Sequence, residues 1–191
     1  CWELDLSGSS LKRPGLLSRF FSGYDIREVS QLDADWDEFF DRVYEDYVFL
    51  AARDSAYLRW RYLECPDTVH RLFAVRKKGR LMGWSVFSVK DGQILWGDAL
   101  FDRQALKSVW CLLYHVATQV FAGMKSIKAW FSTNPAWWRV HLSSLGFMPR
   151  PEPDGLTLCY RSFNNPLMDR DTVTDRLNHS FYYTWGDSDL F

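Results

Sequence analysis

The stretch SIKAWFSTNPAWWRVHLSSLGF, Ser126 to Phe147, decides how this chain folds. Ile127 to Phe131 is a short apolar run, the pattern of a strand buried in the middle of a sheet. Asn134-Pro135 breaks it. Proline has no N–H and a fixed φ that suits the first turn of a helix, and Asn134 offers a side-chain oxygen as its cap. Gly146 ends that helix, and Phe147 to Arg150 opens a returning strand.

Working outward, Arg103 to Ala122 reads as a long helix before this unit. Leu106, Val109, Trp110, Leu113, Val116, Val120 and Phe121 line one face, and Gly123 suits its carboxyl cap. Ahead of it, His70 to Arg76, Leu81 to Val89 and Gln93 to Leu100 are strand-like. Lys78-Gly79 and Asp91-Gly92 turn between them, which predicts an antiparallel meander. Further upstream, Ile26 to Val29 is a short first strand, and Leu32 to Leu50 has helical spacing. Asp54 caps a second helix that runs through Leu63 and is stopped by Pro66. Leu156 to Phe163 is a last strand. The order β-α-α-β-β-β-α-β-α-β-β predicts an α+β fold with a mixed, mostly antiparallel sheet flanked by helices. Residues 1–23 read as a linker or arm from an upstream region and 24–163 as the domain. Residues 164–191 read as a polar loop followed by an aromatic tail, FYYTWGDSDLF, that must dock.

Composition narrows the function. The chain has 191 residues, 47% hydrophobic and 25% charged, with a net charge of -1. No basic field favours nucleic acid or an anionic membrane. The run between Lys107 and Lys125 is short for a membrane span, and no signal-peptide pattern is present. Cys1, Cys65, Cys111 and Cys159 are scattered, and the four histidines lack ligand spacing, so no metal site is expected. These features predict a cytoplasmic protein with reduced cysteines. Ten tryptophans and an aromatic share of 17% leave some aromatic surface for a groove or a partner, such as an upstream domain of the same protein or a second copy forming a homodimer.

The element order and the Asn134-to-Gly146-Phe147 segment resemble the GNAT (Gcn5-related N-acetyltransferase) superfamily across about residues 24–163. DSAYLRWRY and YTWGDSD look like a bacterial GNAT-like group, some of whose members carry two halves in the manner of the Fem aminoacyltransferases. The resemblance implies an acyl-CoA-dependent N-acyltransferase, acetylating an amine of a small molecule or amino sugar. It places acetyl-CoA where the family's fourth and fifth strands splay, here Gln93 to Leu100 and Ile127 to Phe131. Leu100, Phe101, Arg103, Gln104 and Lys107, with Asn134, would hold it. The family's pyrophosphate loop, Arg/Gln-x-x-Gly-x-Gly/Ala, here runs Arg103-Gln104-Ala105-Leu106-Lys107-Ser108. Its glycines are absent, so phosphate binding rests on the Arg103 and Lys107 side chains or is lost. Leu142 stands where many members place a catalytic tyrosine. The alternative is therefore a non-catalytic GNAT-like module that binds an acceptor or braces an upstream catalytic half.

Particular residues carry either reading. Ile94, Trp96, Asp98 and Leu100 share a face by strand alternation. Asp98 there is a candidate general base, or else a carboxylate paired with an arginine or a helix cap. His141 is the candidate acid in place of the tyrosine, or a packed histidine. Trp96, Trp138, Trp185 and Asp187 are candidate substrate contacts. Of Trp137 and Trp138, one is expected to be exposed or at an interface, and Trp130 to be core. Arg59 and Arg61 either bind an anionic acceptor or pair with Asp33, Asp35, Asp37 and Glu38.

Overall fold

The computed structural model describes residues 1–7, 23–152, 175, 179–188 and 191. The expected strand at Leu156 to Phe163 lies outside them. The architecture is α+β: a mostly antiparallel mixed sheet flanked by helices. Strands β1 (Trp2–Asp5), β2 (Tyr24–Val29), β4 (Arg71–Lys77), β5 (Arg80–Lys90), β6 (Gln93–Phe101), β7 (Ser126–Ala129) and β8 (Met148–Pro149) form one sheet in the order β2-β4-β5-β6-β7-β1-β8. A second, two-stranded sheet pairs β3 (Phe49–Leu50) in parallel with β9 (Phe181–Tyr182). The helices are α1 (Asp35–Val43), α2 (Ser55–Leu58), α3 (Lys107–His115) and α4 (Ala136–Ser144). Among the described residues no helix is long and apolar enough to cross a membrane.

The opening residues depart from the expected arm. Trp2–Asp5 lies between β7 and β8 and is antiparallel to both. Its four residues alternate, with Trp2 and Leu4 buried while Glu3 and Asp5 point outward. That alternation is a period-two strand signal, but it is only four residues long and precedes a Ser/Gly/Pro-containing run. The long helix is likewise divided. A short 3-10 turn, Arg103–Ala105, precedes α3, and a π turn, Val116–Val120, ends it. Asp102 starts the 3-10 turn by accepting the Gln104 N–H at 2.8 Å.

The core is largely aromatic. Trp96 sits 4.8 Å from Phe131 and 5.9 Å from Trp138, ring centre to ring centre, and Phe101 stacks on Trp138 at 5.9 Å. Trp138 is fully buried, while the neighbouring Trp137 is half-buried and donates its indole N–H to the Asp46 carbonyl at 3.1 Å. Trp130 is buried too.

A register shift in β6 overturns the expected shared face of Trp96 and Asp98. Phe87 pairs with Trp96 and Val86 with Asp98, leaving Gly97 unmatched. One extra residue reverses the facing of the residues beyond it. Trp96 therefore joins Trp138 and Phe147, while Asp98 meets Arg53 and Tyr62. A Cβ at Gly97 would come within 1.9 Å of the Phe191 ring, so a side chain there displaces that ring.

Leu4 is fully buried in β1, so Leu4→Ala costs about 2–5 kcal/mol, the range for emptying a buried leucine site. Urea unfolding measures this. A change within about 0.5 kcal/mol, as for an exposed position, would return these residues to the status of an arm.

Candidate functional site

The parallel pairing of β6 with β7 covers only Ile94 with Ile127, Leu95 with Lys128 and Trp96 with Ala129. Beyond it the two strands part. β6 runs on to Phe101 and its unpaired groups need partners, since an unmatched buried peptide group costs about 1–3 kcal/mol.

Those partners come from the protein itself. Tyr47 donates its hydroxyl to the Phe101 carbonyl at 2.9 Å and accepts the Phe101 N–H at 2.8 Å. The Ala99 carbonyl accepts the Tyr182 hydroxyl at 2.8 Å, and the Ala99 N–H donates to the Asp98 carboxylate at 2.9 Å. The carboxyl-terminal segment lies along the opposite wall. Phe131 bridges to Thr184, and the Ser132 N–H donates to the Tyr183 carbonyl at 2.9 Å. The Phe191 ring lies against Gly97.

A buried ion cluster fixes that segment. Arg53 and Asp98 both have side chains with no exposed surface, and they pair at 3.1 Å. The other end of the guanidinium pairs with Asp187 and donates to the Ala51 carbonyl at 3.0 Å. Asp98 also accepts the Tyr62 hydroxyl at 2.7 Å and the Thr184 hydroxyl at 2.9 Å. Thr184 and Asp187 form a capping box on the turn Trp185–Asp187. Arg61 reaches the same turn, donating to the Gly186 carbonyl at 3.1 Å and to the Ser188 carbonyl. Burial raises the Asp98 carboxyl above its ordinary range, against the pull of the Arg53 charge and its hydroxyl donors. Burial would lower the Arg53 guanidinium, but the two carboxylates carry it well above its usual value.

The expected site residues separate into three groups. Asp98, Asp187 and Trp185 come together in and beside the ion cluster; Trp185 is half-buried and stacks over Phe191 at 6.4 Å. Trp96, Trp138, Leu100 and Phe101 are fully buried core residues, so their side chains have no free face for a substrate. Arg103, Gln104 and Lys107 are exposed at the start of α3. Of the N–H groups there, that of Gln104 is taken by Asp102 and that of Ala105 by the Asp102 carbonyl at 2.8 Å. Asn134 is half-buried before α4, where Pro135 takes the cap position; the Asn134 carbonyl accepts the Ser132 hydroxyl at 2.8 Å.

His141 lies apart from Asp98, with its ring 6.1 Å from Trp138 and its Nε2 buried without a partner. Burial lowers its pKa. Arg61 does not meet the acidic first helix; Asp33 and Asp35 pair with Arg76 instead, and Asp37 accepts from Ser55. Asp189, the second tail carboxylate that could reach an acceptor, lies outside the described residues.

Arg53, Tyr62 and Thr184 complete the cluster without a role that the sequence alone assigns them. The Thr184-x-x-Asp187 spacing is a capping-box signature and was available. Arg53 carries no such signal, because a cation beside a helix cap looks like any surface residue. Elsewhere a cleft of about 520 Å³ opens between β1, β8 and α4, lined by Trp2, Phe131, Arg139, Val140 and Arg150 among others. None of the expected site residues lines it. Among the described residues no cluster of His, Cys, Asp and Glu could hold a metal ion.

Arg53→Met leaves two carboxylates without their cation and lowers stability by about 3–5 kcal/mol at neutral pH. The sign with pH is set by Asp98. A carboxyl whose pKa is raised in the fold is most compatible with the fold when neutral, so the deficit relative to wild type narrows as pH falls. Urea midpoints for both proteins across pH check this.

Three histidines act in the opposite direction. His70, His115 and His141 are all held below their usual 6.5 by burial. Their contribution is complete above the unfolded value and is lost as pH falls through the lower folded values. Their burial therefore pulls the wild-type midpoint down as pH falls below the ordinary histidine value of 6.5. His141→Gln shallows that drop.

Protein-family models give no match to this chain, and no curated protein matches it.

Proposed function

We propose that this chain is a GNAT-like module whose acyl-CoA cleft is filled by its own residues, and that it serves by binding an acceptor or bracing an upstream catalytic half. One observation carries the reading: past the β6–β7 divergence, the main-chain groups of Ala99 and Phe101 are bonded to Asp98, Tyr182 and Tyr47. A pantetheine arm needs such groups as its partners, and a thioester carbonyl needs free N–H donors to stabilise developing charge. The glycine-free start of α3 supports the same reading, because its first donors are capped by Asp102. Among the described residues the aromatic surplus is then mostly internal packing, leaving Trp60, Tyr44 and Phe49 as exposed rings for contact with a partner.

A second reading is favoured by the divergence itself. The strands part after three paired residues, which is the opening that an acyl-CoA-dependent N-acyltransferase uses. On this reading the carboxyl-terminal segment withdraws and acetyl-CoA enters. An amine of a small molecule or amino sugar attacks the thioester carbonyl, its proton passes to Asp98 directly or through water, and the thiolate leaves. Withdrawal of the segment removes only the Thr184 hydroxyl from Asp98, so proton transfer to Asp98 requires in addition that Arg53 and the Tyr62 hydroxyl release it.

Calorimetric titration of the wild-type chain with acetyl-CoA decides between the two. The first reading expects no binding heat at ligand concentrations up to about 1 mM, the weak end of specific affinity. Saturable binding well below that concentration overturns it in favour of the second.

A further inference from the structure

The contacts that hold Phe181–Ser188 and Phe191 differ in kind from those of the sheet. β5 and β6 are joined by an eight-residue ladder. The terminal segment has two paired residues against β3, one isolated bridge to Phe131 and one main-chain hydrogen bond to Ser132. Its links to β6 run through side chains, namely Tyr182 to Ala99 and Thr184 to Asp98. Its carboxylate is held by one guanidinium, Arg53, that simultaneously holds the sheet residue Asp98, while a second, Arg61, donates to the Gly186 and Ser188 carbonyls. Asp187 is the only member of that ion triad with exposed side-chain surface, at 16%.

We propose that Phe181–Ser188 with Phe191 is a strap that closes the β6–β7 cleft from within and opens as a unit, with Arg53 as its latch. Arg53, Asp98 and Tyr62 stay together on the sheet side when the strap leaves, because Arg53 keeps Asp98 and the Ala51 carbonyl, and Asp98 keeps the Tyr62 hydroxyl. The latch therefore has a stable half and a removable half. Opening bares Gly97 and the Ala99 carbonyl, so the strap determines whether the cleft is available to any ligand. The inference rests on reading that cleft as the ligand site of a GNAT-like fold.

Amide hydrogen exchange on the full chain tests it, with Asp187→Ala as the first variant and Thr184→Val as the second. Each removes a strap-side contact of the latch and leaves Arg53 paired with Asp98. The expected result is exchange about tenfold or more faster in Phe181–Ser188, with β5 and β6 unchanged, as for a locally opening unit. Equal acceleration in β5 and β6 would make the segment part of the cooperative core and overturn the proposal. Unchanged exchange throughout in both variants would overturn it as well. Acetyl-CoA titrated into the same variants separates the strap from the ligand reading. Binding gained by Asp187→Ala over wild type supports a gated acyl-CoA cleft. An opened strap without binding sustains the strap and removes the acyl-transfer reading.

Discussion

A guanidinium with no exposed surface stands between a carboxylate of the central sheet and a carboxylate of the last described turn. Taking three charges out of water is costly, and the attraction between them compensates only when geometry and hydrogen bonding are nearly complete. Here they are: Asp98 has Arg53, two hydroxyls and a main-chain N–H, and Arg53 has two carboxylates and a carbonyl. Such a cluster is a poor source of stability compared with apolar packing of the same volume, but it tolerates few alternatives. It specifies one position for the terminal segment. That position places the Tyr182 and Thr184 side chains against Ala99 and Asp98 of β6.

The aromatic core and the ion cluster occupy opposite sides of one strand, and Gly97 divides them. The extra residue at that point turns Asp98 away from Trp96, Phe131 and Trp138 and toward Arg53. Without the bulge a carboxylate would lie among indole rings with no partner, at a cost of several kcal/mol or with loss of its charge. The close approach of Phe191 uses the same missing Cβ. One glycine thus serves both the register of the sheet and the seating of the chain's end.

The α+β class and the meander from Arg71 to Phe101 were legible because they rest on period-two alternation and glycine turns, which are local. The helix between the Asn134-Pro135 break and Gly146 was legible too, though it is Pro135 and not Asn134 that stands at its cap. The role of Trp2–Asp5 was not, since four alternating residues name no partner strand. Nor was the facing of Asp98, because a bulge is defined by the neighbouring strand and leaves only a glycine in its own sequence. Asp98 reads in the sequence as a general base, an arginine-paired carboxylate or a helix cap; the structure pairs it with Arg53, and nothing local in the sequence joins it to Arg53 or to Thr184. Trp96 and Trp138 were read as ligand contacts because a tryptophan's burial depends on the whole packing of the domain.

The place of β1 also bears on how the chain reaches this fold. It is made before the rest of the sheet, yet both of its neighbours, β7 and β8, lie near the other end of the domain. Trp2 and Leu4 lack these partner strands on the ribosome until residues 126–149 have emerged. Closing so long a loop adds entropy cost that local pairs avoid, and non-local strand pairing slows folding. The meander can assemble early, whereas the far side of the sheet waits with an open edge. Chaperone binding and misassembly would be concentrated at that edge during synthesis.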